Sequence, residues 1–195
     1  MKQLPSQRQR TGCIEHQLKR HIMLNNEKIR DIQTLEQRFE YMFRGPVISI
    51  DFFRGWFADF VDLCFELDAM LEDYKSEFRW IQIKEKFGGC RMYFSIQPEN
   101  FVEDPDHGEV VLPDDFVKIR AEAHRLVGLA SLRMKDKCCV CGEFAVVDHH
   151  GAWLSTLCNF HFPVARAARG DTRTLHELTA VPATPQDIEI WRASS

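Results

Sequence analysis

Residues able to hold a soft cation recur as two pairs with one internal spacing, Cys138-x2-Cys141 and Cys158-x2-His161, separated by 16 residues. Gly142 follows the first pair. That is the pattern of a knuckle, a tight turn in which backbone amides point at two sulfurs and glycine permits the bend. Four soft donors in two pairs suit tetrahedral Zn2+ in a closed, structural arrangement. The predicted ligands are therefore Cys138, Cys141, Cys158 and His161, with Cys139 out of register as a bystander. His149 and His150 stay open as substitutes for one ligand. A structural zinc of this kind contributes on the order of 10 kcal/mol to folding.

The same segment raises a catalytic alternative. Val147-Asp148-His149-His150-Gly151, followed by Leu157-Cys158-Asn159, is similar to the HNH nucleases of the endonuclease VII type. That resemblance implies His149 as general base and Asp148 as a ligand of a catalytic dication. Three departures stand against it. No residue separates the two histidines, the second pair ends in His161 instead of Cys, and Phe162 stands where that family has Asn. Asn159 is out of phase, and no second ligand for the dication is evident.

Composition narrows the classes. The chain has 195 residues, 45% hydrophobic, with 15 Phe, enough for a sizeable core. A net charge of −4 supplies no global field toward nucleic acid. Apolar runs are too short for a membrane-spanning helix, and the basic N-terminus lacks the apolar stretch of a secretory signal. A cytoplasmic protein with no membrane partner is expected. Clustered cysteines then mean metal rather than disulfides, and the isolated Cys13, Cys64 and Cys90 are expected as small buried hydrophobes.

The elements that must position the cluster follow from periodicity. Residues 1–24 carry five bases against Glu15 and a thin apolar stripe, a frayed or partner-docked helix. Asn25 or Asn26 can cap a helix whose face is Ile29, Ile32, Leu35, Phe39, Met42 and Phe43, ended by Gly45-Pro46. From Phe52 to about Tyr74, Trp56, Phe60, Leu63, Cys64, Leu67, Leu71 and Tyr74 gather on one side. Asp59, Asp62, Glu66 and Asp73 gather opposite, and residues 51–77 carry a net −6.

Residues 80–87 and 90–96 read as a hairpin turning at Gly88-Gly89. Ile81, Ile83 and Phe87 are expected on the core face of its first strand, and Cys90, Met92, Phe94 and Ile96 on that of the second. Lys84, Lys86 and Arg91 form a basic patch on the wet face. An acidic, Pro-interrupted loop spans 97–115. A helix capped by Asp114 or Asp115 follows, with Phe116, Ile119, Ala123, Leu126, Val127, Ala130 and Met134 as its stripe and His124 at the edge. Beyond the cysteines, 163–169 makes a short helix closed by Gly170. Thr184-Pro185-Gln186-Asp187 opens a last helix whose Trp191 is expected to dock on the body.

A second resemblance covers more of the chain. Gly55-Trp56, QIKEKFGGCRMYF (82–94), Cys138-x2-Cys141-Gly142 and GAWLSTLCNFH (151–161), in that order, look like a family of uncharacterised proteins of bacteriophages and bacterial mobile elements. The resemblance spans about 55–162. It implies zinc binding and a phage or mobile-element origin, and places Trp153 and the TLC stretch in the zinc framework.

The expectation is an α+β protein, helices packed on a β-hairpin or small antiparallel sheet with a zinc-ribbon-like subdomain. Its parts are an N-terminal helical extension (1–50), an α+β body (51–135) with the hairpin at 79–96, a ribbon (136–170) and a helical tail (171–195). Functionally it is a non-enzymatic zinc-binding interaction protein, a phage product that binds a host or phage protein and blocks host defence. Asp59, Asp62, Glu66, Asp73, Lys84, Lys86 and Arg91 are the candidate partner-binding residues. An HNH-like nuclease and a nucleic-acid-binding ribbon are the alternatives.

Overall fold

The structure, a computed structural model, describes residues 29–46, 48–97, 102–103, 110–111, 113–150 and 153–193. The expected helix in 1–24 and the caps at Asn25 and Asn26 lie outside the described residues, as do Cys13 and the side chains of His150, Trp153 and Trp191.

The first described helix, α1 (Ile32–Arg38), is capped by Asp31, whose carboxylate accepts from the amide and the hydroxyl of Thr34, both at 2.8 Å. It stops where Phe39 leaves helical geometry (φ −126°, ψ 46°), and Glu40–Phe43 continues as a 3-10 turn. The single helix expected here is therefore broken. Phe39 is fully buried edge-on to Phe65, ring centroids 4.9 Å apart, and this packing overrides the local helical preference.

Strand β1 (Ser49–Asp51) follows, then a 3-10 turn (Arg54–Trp56) leading into α2 (Phe57–Leu71). This helix ends at Glu72, φ 39°, and a further 3-10 turn spans Glu72–Glu77. It buries the expected face but also Phe57, Val61 and Phe65, so core surrounds most of its circumference. Asp59 corrects the expected solvent-facing acidic side. It is buried, and its carboxylate accepts from Lys137 Nζ at 2.7 and 2.8 Å, with Arg133 Nε at 3.9 Å. Asp59→Asn, which keeps the shape and removes the charge, is expected to cost about 1–3 kcal/mol in urea unfolding.

Strands β2 (Phe78–Lys86) and β3 (Gly89–Ile96) form the predicted hairpin, and β1 joins β2 in parallel, giving the order β1-β2-β3. The parallel member is an addition to the antiparallel sheet expected. Lys86 pairs with Gly89, so the two-residue turn is Phe87-Gly88, not Gly88-Gly89. Both turn residues have positive φ, 56° and 74°, as a type I′ turn requires. A register shift between Trp80 and Gln82 turns Ile81 outward. The inner face of β2 is thus Phe78, Trp80 and Ile83, while Ile81 and Phe87, expected in the core, are exposed.

Within the acidic stretch, β4 (Val102–Glu103) pairs antiparallel with β5 (Val110–Val111). Helix α3 (Asp114–Lys135) packs Phe116, Ala123, Val127, Ala130 and Met134 against α2 and β3. Its cap position is Pro113; Asp114 and Asp115 instead occupy the first turn, where the helix dipole favours acids.

An antiparallel pair, β6 (Val146–His150) and β7 (Trp153–Leu157), follows the first knuckle. Three helices close the chain: α4 (Pro163–Ala168), α5 (Leu175–Thr179) and α6 (Pro185–Ala193). Gly170 sits at φ 72° after α4 as anticipated. Thr174 and Glu177 form a reciprocal capping box on α5, and Asp187 accepts from Thr184 ahead of α6.

The described chain is an α+β fold. Cys138, Cys139, Val140, Ala145 and Leu157 belong to the same hydrophobic cluster as Trp56 and Trp80, so the 136–170 segment shares its core with the body.

Candidate metal centre

Cys138, Cys141, Cys158 and His161 converge, with all four ligand atoms within 4.8 Å of one another. Cys141 Sγ lies 3.8 Å from Cys158 Sγ, and His161 Nδ1 lies 3.5 Å from Cys138 Sγ and 3.3 Å from Cys158 Sγ. Around an ion with bonds of about 2.3 Å to sulfur, a tetrahedron has edges of about 3.8 Å, so one cation fits between the four atoms. They can hold a metal ion. Nδ1 is the ring nitrogen that faces the sulfurs.

Local backbone geometry makes each pair. Gly142 N donates to Cys138 O (2.9 Å) and Cys138 N to Glu143 O (2.7 Å); Gly142 at φ 80° lets the chain turn between them. In the second pair His161 N donates to Cys158 O at 3.0 Å. Cys139, the bystander, is fully buried. Its amide donates to Thr156 O (2.8 Å), tying the first knuckle to β7.

The body grips the knuckle through Gly55 and Trp56. Gly55 N donates to Cys139 O at 2.9 Å, and Trp56 Nε1 donates to Lys137 O at 3.2 Å. A Cβ on Gly55 would sit 2.0 Å from Cys138 O and 2.8 Å from the Cys139 carbonyl carbon. Only glycine lets these two backbones touch. The hairpin turn makes the second contact. A Cβ on Gly88 would lie 3.1 Å from Val147 Cγ1, and Thr156 Oγ1 donates to Gly88 O at 3.4 Å. The turn of β2–β3 therefore rests on the β6–β7 ribbon. Gly55-Trp56, the KFGG turn, the CxxCG knuckle and the TLCxxH stretch meet in one place.

Electrostatics act in opposite senses on the donors, holding the Cys141 thiol protonated while favouring the metal-binding forms of Cys158 and His161. Burial, reinforced by the Cys138 sulfur, pushes the Cys141 thiol up to about 12. Burial raises Cys158, but the His161 amide, the Cys138 sulfur, the Phe160 amide and the Cys141 sulfur together outweigh it and leave that thiol below its ordinary value. His161 is pushed down by burial, then by the charges of Arg169, Arg166 and Arg54, which favours the neutral imidazole a metal needs. Below this pair α4 is fixed by Asp171, whose carboxylate accepts from Arg166 Nε (3.3 Å) and Arg173 Nε (3.0 Å). These guanidiniums hold Asp171 well below the usual carboxylate range.

The remaining predicted residues are dispersed. Asp148 and His149 sit on adjacent positions of β6, so their side chains leave opposite faces of the strand; Asp148 Oδ1 accepts from the His149 amide at 2.7 Å. Neither belongs to a donor cluster among the described residues. Glu66 meets Arg133 at 3.4 Å, Asp62 is half-buried, and Asp73 is exposed in the 3-10 turn after α2. Lys84, Lys86 and Arg91 share the outer face of the hairpin.

Gly55 entered the sequence reading only as part of a resemblance, and its contact with the knuckle was missed. Its signal was a glycine-tryptophan pair just before a helix, with no reversal of the chain there to explain the glycine. No protein-family model, curated protein or solved structure matches this chain. Among the described residues no helix is long and apolar enough to cross a membrane.

Proposed function

We propose that this protein is a non-catalytic interaction module in which Cys138, Cys141, Cys158 and His161 bind Zn2+ as a structural staple. One observation carries the reading: three sulfurs and one imidazole nitrogen close around a single point, on loops that the body clamps through Gly55. Three thiolates with one imidazole form a donor set that favours Zn2+ over hard cations. Zinc held there supplies a cross-link between two loops, with every position taken by protein.

A further feature supports a non-catalytic role. The Asp148-His149 pair diverges across its strand instead of converging on one ion. Together with the resemblance to phage and mobile-element proteins, the reading extends to a phage-encoded module that acts on a host macromolecule.

A plasmid-nicking assay with Mg2+ or Mn2+ tests the reading. Wild type and His149→Ala are expected to leave the plasmid intact at equal zinc content. Cleavage by wild type that His149→Ala abolishes, with the fold retained, would establish the nuclease instead.

A further inference from the structure

The outer face of the hairpin combines three cations with two exposed rings. Lys84 pairs directly across from Arg91, an arrangement of like charges that weakens a sheet. Tyr93, 47% exposed, is diagonal to Lys84, whose ammonium stands 5.4 Å from its ring centroid. Two residue pairs further toward the turn, Lys86 stands 5.2 Å from the ring of Phe87, which is 69% exposed. Among the described residues two acids border this strip. Asp51 of β1 is aligned with Lys84, and Glu85 lies on the inner face opposite buried Cys90, accepting from Gly88 N at 2.8 Å.

Phe87 supplies an independent observation. It occupies the left-handed region at φ 56°, where a bulky side chain is strained, in a type I′ turn whose favoured residue there is asparagine. The ring gains little burial in return. A strained, exposed aromatic at the tip of a rigid hairpin serves something other than the fold.

We propose that this strip, Phe87, Tyr93, Lys84, Lys86 and Arg91, is a docking platform for single-stranded nucleic acid. The proposal names the partner class of the interaction module and rests on that reading. Exposed rings stack on bases of any sequence through the face their lysine does not cover, and cations spaced two strand residues apart, about 6.7 Å, track a phosphate backbone. Duplex DNA offers no exposed base faces to such rings, so the platform selects single strands. The net charge of −4 leaves affinity to this local patch. The zinc centre stiffens the platform, because Gly88 is seated on Val147 and Thr156.

The test uses the full chain, with zinc content measured for every variant, and a short fluorescent oligothymidylate as probe. Binding is expected with a log–log salt slope of about −2 for three phosphate contacts, and Arg91→Gln is expected to reduce that slope by about 0.7. Tyr93→Ala is expected to weaken binding by about 10-fold. Phe87→Asn is the decisive variant, expected to raise Tm by about 2–4 °C while weakening binding about 10-fold. A zinc-loaded wild type that ignores the oligonucleotide would overturn the platform and leave the staple standing. So would equal binding of duplex, equal competition by polyglutamate (the mark of an acidic protein segment), or Phe87→Asn that binds as wild type does. Purified protein that is folded and holds no zinc would instead remove the reading beneath it.

Discussion

Replacing Cys138 with serine is expected to abolish stoichiometric zinc binding and to unfold the segment from Lys137 to Gly170, leaving the α2–α3 body destabilised. Cys138 is buried at the junction of both knuckles. Its sulfur faces His161, its amide donates to Glu143 O, and its carbonyl accepts from Gly142 N. Serine keeps the backbone bonds but offers a poor ligand for a soft centre, so the loss isolates the metal's share. That share is on the order of 10 kcal/mol, comparable with the whole stability of a domain. Because Cys138, Cys139 and Leu157 share the core of Trp56, the damage is expected to reach tryptophan fluorescence and the near-ultraviolet dichroism. Chelation of the wild-type protein is expected to reproduce it.

The second large effect is expected at a residue that touches no metal. Gly55→Ala adds one methyl group 2.0 Å from Cys138 O and 2.9 Å from Gly142 N, all backbone atoms of a turn that cannot move without displacing a ligand. A flexible neighbour would yield; a knuckle does not. The expected cost is about 3 kcal/mol or more, at the upper end for overpacking, together with weaker zinc retention in competition with a chelator. Its counterpart Gly142 makes the same contact from the other side, its Cβ position lying 2.8 Å from Gly55 O. Retention of wild-type stability by Gly55→Ala would show that body and knuckle are not rigidly docked.

How much of this was legible in the sequence depends on how local each cause is. The convergence of Cys138, Cys141, Cys158 and His161 was readable because two short turns with repeated spacing specify it. The amphipathic stripe of α3 and the Thr184–Asp187 cap were readable for the same reason. The acidic side of α2 was misread at Asp59, since helical periodicity assigns a polar face to solvent, whereas here the chain after α3 returns to place Lys137 over it. No pattern within residues 57–71 carries that return.

The hairpin failed in finer detail. Two consecutive glycines suggest that both take positive φ, yet the register at Lys86 and Gly89 gives that role to Phe87 and Gly88. The bulge at Ile81 then shifts alternation by one, which is why Ile81 left the predicted core. Strand β1, three residues long, is too short to show a period. The break of the first helix at Phe39 has no glycine or proline behind it and accompanies a tertiary contact, the burial of Phe39 against Phe65. Gly55 lies at the far end of this scale. Its reason is a backbone more than 80 positions away in the chain, and only the fold brings the two together.

The most direct measurement is metal stoichiometry with X-ray absorption at the zinc edge on the purified 195-residue chain. One zinc per chain, bound by three sulfurs at about 2.3 Å and one nitrogen at about 2.0 Å, is the expected result. A folded protein without metal, or an ion with water in place of one of the four ligands, would contradict the staple.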